Sequence, residues 1–223
     1  MKDTILSICL GNDSKNLLGC KNDSILIYNL IMEFVGKELE EKWLAPYLLF
    51  NENITEKKIK NIIKNSDSFN KLLIYYSGHG LLDGSINIFT NNMISDINFI
   101  KVLDSYISSN IELYIILDSC YAGSFKILPY NKIKKIHLIG STKSNQKANE
   151  SIINFNNLEK NIRYNKNSLN LFEDNIILGM FTYNFYNLLK KSTYSINDWY
   201  KIFYDNIWYL IDKNLNQYPI IFW

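Results

Sequence analysis

Two short segments concentrate the residue types that nucleophilic catalysis needs: Ser77-Gly78-His79-Gly80 and Asp118-Ser119-Cys120-Tyr121-Ala122-Gly123. A thiol becomes an effective nucleophile when a neighbouring base takes its proton, and histidine titrates in the right range to do so. Each segment follows a run of apolar, β-branched and aromatic residues, 71–76 and 111–117. Such runs are expected for central parallel strands covered on both faces, and functional groups gather beyond the carboxyl ends of such strands. Side chains at i and i+2 of an extended segment share a face, which pairs Ser77 with His79 and Asp118 with Cys120. If the two strands are neighbours, about 4.8 Å apart, imidazole and thiol can meet above the sheet. Gly78 and Gly80 weaken a strand and are expected where the backbone turns sharply or closely approaches a ligand.

The remaining cysteines and histidine read as structure. Cys9 lies within an apolar strand pattern and is expected in the core. His137 opens a strand and is expected to be structural. Three cysteines without short Cys/His spacing exclude a disulfide scaffold and any recognisable zinc motif.

The elements that must position the two segments alternate along the chain. Strand patterns at 4–10, 46–50, 71–76, 111–117, 136–141 and 218–222 are interleaved with helical patterns. The helices are expected at 23–41, 55–65 (capped by Thr55), 96–109, 179–190 and 196–214. Residues 154–175 are polar, Asn-rich and the least ordered-looking. This alternation predicts one α/β domain over residues 1–223 with a mostly parallel sheet. At 223 residues with 47% hydrophobic content, one sizeable core needs no staples. A formal charge of +2 is too weak a basic bias to argue for nucleic acid, and none is expected as a partner. No apolar run reaches the ~18 residues of a membrane span, and a cytoplasmic location is expected.

Tyr75-Tyr76-Ser77-Gly78-His79-Gly80 and Leu117-Asp118-Ser119-Cys120-Tyr121-Ala122-Gly123 resemble the two signature segments of the caspase superfamily, specifically metacaspases. Leu18-Gly19-Cys20-Lys21-Asn22-Asp23, residues 138–150, Gly179-Met180-Phe181-Thr182 and Gln217-Tyr218-Pro219 resemble further family segments in the same order. The resemblance implies a caspase-like three-layer αβα sandwich. It would have a large-subunit-like part at about 1–123, a connector at 124–135 and a small-subunit-like part at about 136–223. Cys120 would be the nucleophile and His79 the general acid–base, with the backbone N–H groups of Gly80 and Cys120 forming an oxyanion hole. Cys20, Asp23, Ser77 and Asp118 would line the pocket for the residue before the cleaved bond.

Two carboxylates in that pocket suit a Lys or Arg side chain, with Arg favoured for bidentate pairing. The alternative use of Asp23 is as a helix cap, and both uses could coexist. A caspase pocket for aspartate needs arginines, and the only arginine here is Arg163. The expected activity is therefore a metacaspase-like endopeptidase cleaving protein or peptide substrates after Lys or Arg through a thioester. The alternative is a catalytically weak regulator that binds a partner protease. Metacaspases commonly need calcium, but only Asp83 and Asp96 lie near the expected position, and Ile127 stands about where a glutamate would. A hard cation wants six or more oxygens, so no cofactor is required and calcium dependence is expected to be weak. A monomer is expected, with self-cleavage sites offered by Lys126, Lys132, Lys134 and Lys135.

Overall fold

In the computed structural model, the described residues are 2–89, 92–128, 130–154, 171–172, 175–190, 195–207 and 217–222. The chain runs β1 (Thr4–Gly11), α1 (Cys20–Met32), β2 (Lys42–Trp43), β3 (Tyr47–Phe50), α2 (Glu56–Asn65), β4 (Lys71–Gly78) and the hairpin β5 (Ile86–Phe89) and β6 (Asn92–Ile94). It continues through α3 (Asp96–Tyr106), β7 (Ile111–Ser119), β8 (Ile133–Gly140), β9 (Glu150–Asn154), β10 (Leu171–Phe172) and β11 (Asn175–Gly179). The last described elements are α4 (Met180–Leu189), α5 (Ile196–Asn206) and β12 (Ile220–Phe222).

Seven strands form the central sheet in the order β12-β8-β7-β4-β1-β2, with β3 also on β1. Every pairing is parallel except that of β12 with β8. Alternation along the strands sorts their side chains between two cores. Leu73, Tyr75, Tyr114 and Ile116 pack with α1, α4 and α5, whereas Leu72, Ile74, Leu113, Ile115 and Leu117 pack with α2 and α3. Both faces of the sheet are thus covered, which explains why 71–76 and 111–117 read as unbroken apolar runs. The architecture is α/β, three layers around a mostly parallel sheet. Among the described residues no helix is long and apolar enough to cross a membrane.

Several elements differ from expectation. Helix α1 begins at Cys20, with Gly19 at its N-cap and no side-chain cap. Asp23 is therefore not a capping residue; it lies within the first turn and is 1% exposed. The Asp13 carboxylate instead accepts from the Lys21 N–H. Strand β8 starts at Ile133, so Lys134 and Lys135 belong to a paired strand rather than to a loop. Lys132 is tied by its N–H to Asp104 and by its Nζ to the Ile107 carbonyl. Only Lys126 of the four connector lysines stays exposed in a loop. Strands β9 and β11, with β10, form a second, antiparallel sheet at the ends of the stretch 154–175 that reads as least ordered. Residues 155–170, Arg163 among them, and 208–214 of the expected last helix lie outside the described residues. Cys9 is fully buried, and His137 stacks on Tyr114 at 4.4 Å between centroids, a core role.

Candidate functional site

Strands β4 and β7 are direct neighbours, with Ser77 opposite Asp118 and Gly78 opposite Ser119. Ser77 follows Leu73 and Tyr75 in phase, and Asp118 follows Tyr114 and Ile116, so both face α1 and α4. The loops that continue from the two strands touch. A Cβ on Gly80 would stand 2.2 Å from the Cys120 carbonyl oxygen, so only glycine allows this approach. His79 is half-buried, and its Nε2 lies 2.7 Å from the Ser14 hydroxyl. Ser14 comes from the loop after β1, held by a two-way backbone bridge to Leu17.

Cys120 sits at the exit of β7, half-buried, followed by Tyr121 in the left-handed region at φ 57°. That reversal needs external support, and the segment after β8 provides it. The Tyr121 N–H donates to the Gln146 carbonyl at 2.7 Å, the Ala122 N–H to the Thr142 hydroxyl, and the Ser119 N–H to the Ser141 hydroxyl. The Ser141 and Thr142 hydroxyls in turn donate to the Ser119 carbonyl. The turn that presents the thiol is thus clamped on three sides.

A narrow cleft opens beside Cys120, lined by Cys20, Asp23, Ser77, Asp118, Glu150 and Gly179 among others. The structure therefore brings Cys20, Asp23, Ser77, Asp118 and Cys120 to one cleft. Gly80 reaches the same turn through its approach to the Cys120 carbonyl, and His79 precedes it in the chain. Asp23 accepts from the Ser77 hydroxyl and from the Gly179 N–H, both at 2.8 Å. Asp118 Oδ2 accepts from the Thr182 hydroxyl at 2.6 Å and from the Thr182 N–H at 3.2 Å, and the same hydroxyl pairs with Tyr75. Two of these donors are backbone groups at the start of α4, where the helix dipole favours negative charge. Gly179 records how tightly the acids converge. A Cβ there would lie 2.2 Å from Asp118 Oδ2 and 3.0 Å from Asp23 Oδ2.

Both carboxyls are buried without a cation: among the described residues, no ion pair includes Asp23 or Asp118. Burial raises both above the usual carboxylate range, and the charge of Asp118 pushes Asp23 further up. The Cys20 thiol is likewise pushed well up by burial, with Asp23 adding to the effect, so it stays protonated and inert. The cleft's interior is tight, with about 20 Å³ open to a water-sized body. Leu17 and residues 148–150 form its lip.

Sequence reasoning missed Glu150, Ser14 and Thr182. Glu150 is the third acid of the cleft, and it bridges the lip by accepting from the Gly19 and Leu18 N–H groups. It follows no strand-end pattern, and only its place in the segment 138–150 pointed towards it. Among known proteins, no family model matches the chain and no curated sequence matches it significantly.

Proposed function

We propose that the protein is a caspase-like, metacaspase-type cysteine endopeptidase that cleaves after Lys or Arg. One observation carries this reading: among the described residues, a cleft beside a turn-mounted thiol holds two buried acids and no cation. A substrate ammonium or guanidinium supplies the missing charge, and Arg can pair with both acids at once. The loops at the carboxyl rim of β4 and β7 lie where open parallel sheets gather functional groups, which supports this reading.

In the proposed reaction, Nε2 of His79 is engaged by Ser14, which leaves Nδ1 to exchange a proton with Cys120. His79 takes the thiol proton and the sulfur attacks the carbonyl carbon. The carbonyl oxygen becomes an oxyanion held by the Gly80 and Cys120 N–H groups. The C–N bond then breaks, His79 delivers its proton to the leaving amine, and a thioester remains. Water deprotonated by His79 attacks the thioester, restoring the thiol and releasing the acid.

Peptides carrying Arg, Lys or Asp before a fluorogenic amine test this directly, with calcium and with chelator. Wild-type protein should hydrolyse the Arg and Lys peptides in both conditions and leave the Asp peptide intact. Cys120→Ala should hydrolyse none. Turnover that survives in Cys120→Ala, or a wild-type preference for Asp, overturns the proposal.

A further inference from the structure

A large groove among the described residues shares no lining residue with the acidic cleft. It measures about 800 Å³ and is lined by Leu82, Phe125, Ile127, Leu128 and Phe222, with Asp83 and Lys126 at its edges. That size falls within the range of small-molecule and peptide side-chain sites, about 300–1,000 Å³. Three of its apolar side chains are open to solvent: Leu82 at 65%, Phe222 at 44% and Leu128 at 42%. Clustered exposure of large apolar residues marks a binding surface more often than scattered single ones do.

The groove is built from the two loops that carry the candidate dyad. Leu82 follows Gly80 by two residues, and Phe125 follows Cys120 by five. The loops lock together where Gly84, at φ +86°, packs on Ser124; a Cβ there would lie 2.5 Å from the Ser124 carbonyl oxygen. The floor is fixed, because Phe125 is buried and the Lys126 N–H donates to Asp96 at 2.6 Å. The two depressions also belong to different cores. The cleft opens on the side of α1 and α4, whereas Phe125 and Ala122 pack with the α2 and α3 side. Cys120 lines the cleft, and Gly123 and Ser124 of the same loop line the groove.

We propose that this groove binds apolar side chains on the leaving-group side of the cleaved bond. The inference rests on the endopeptidase reading above. A substrate whose cationic side chain enters the acidic cleft has its carbonyl at Cys120, and the residues after the bond continue across the rim over the groove. The substrate class is thus a polypeptide with Lys or Arg before the bond and an apolar residue within the first few positions after it.

The test compares two substrate types. One is an Arg peptide with a fluorogenic amine, which has no residues after the bond. The other is an internally quenched peptide with Arg before the bond and either Leu-Phe or Ser-Gly after it. Wild-type protein should cleave the Leu-Phe peptide at least tenfold more efficiently than the Ser-Gly one. Leu82→Ser with Leu128→Ser, both at exposed positions, should remove that preference and leave hydrolysis of the fluorogenic amine unchanged. No hydrolysis of any substrate defeats the endopeptidase reading itself. Hydrolysis with no preference after the bond defeats only the groove assignment. So does a concentration-dependent dimer in sedimentation that the double substitution abolishes, since a second copy would then fill the groove.

Discussion

Strand β4 begins at one buried charge cluster and ends at another. At its amino end, Lys71 Nζ lies 2.5 Å from Glu41 Oε1 and 2.8 Å from Asp3 Oδ2, and Glu41 also accepts from the Ile196 N–H. Burial works against the lysine's charge, but hydrogen bonds to Asp3 and Glu41 outweigh it and raise its pKa. At its carboxyl end, Ser77 points to Asp23 and pairs in register with Asp118, and among the described residues only neutral donors reach those acids. The first cluster carries its own counter-charge and is complete within the chain. The second has backbone and hydroxyl donors that orient two acids without neutralising them. A buried acid pair left in this state is a stability liability, and it makes sense where a ligand brings the cation.

Breaking the complete cluster should produce the largest loss of stability. Lys71→Met leaves Glu41 buried opposite an apolar side chain, and uncovering one member of a buried pair costs about 3–5 kcal/mol. Urea unfolding should show that drop, and Lys71→Met with Glu41→Gln should recover most of it, because the orphaned charge is gone. Hydrolysis of an Arg peptide per folded molecule should not change in either variant. A loss below about 1 kcal/mol would mean that the cluster is not the structural ion pair its geometry describes.

The incomplete cluster should respond in the opposite way. Asp118→Asn removes one of the two acids proposed to bind a cationic side chain, and kcat/KM for the Arg peptide should fall roughly 10²–10³-fold, equivalent to about 3–4 kcal/mol. Stability should be unchanged or raised, since a buried charge has been deleted without stranding a cation. An Asp118→Asn protein that unfolds as readily as Lys71→Met, with hydrolysis intact, would make both clusters structural.

The two ends of β4 were not equally legible in the sequence. The carboxyl end was readable because its chemistry is local: Ser77 and His79, and Asp118 and Cys120, sit two residues apart at the ends of apolar runs, and period-two alternation fixes their shared face. The pairing of β4 with β7 then put Ser77 beside Asp118. What remained hidden depends on contacts between distant segments. Glu150 reaches the Gly19 and Leu18 N–H groups across more than 130 positions. Thr182 reaches Asp118 from the start of α4. Glu41 reads as part of a helix in sequence, yet it ends up beyond α1, clasping Lys71. The Asp23 carboxylate also read as a helix cap, and only the helix start at Cys20 and the bond from the Gly179 N–H exclude that use. The second sheet escaped notice because β9 and β11 are short and flank the polar stretch 155–170.

The smallest expected effect is one of pH, and it separates the clusters by sign. Asp23 and Asp118 are raised in the folded protein, Asp118 to about 6, chiefly through burial. The native state therefore holds protons that the unfolded chain releases. The stability this contributes is full below the unfolded carboxyl pKa of about 3.9 and is lost as pH rises through the folded values. Asp3 behaves oppositely: hydrogen bonds from Lys71 and Asn70 lower it, so its contribution is present above that pKa and lost as pH falls through the folded value. In the empty protein, the Asp23→Asn/Asp118→Asn variant should gain stability on wild type as pH rises from about 4 to 7, read by urea unfolding at several pH values. A bound cation favours the ionised pair, so wild-type KM for the Arg peptide should rise as pH falls below about 6, because the proton and the substrate compete for the same carboxylates. A KM that stays flat from pH 5 to 7.5 would mean that the guanidinium does not sit between these two acids.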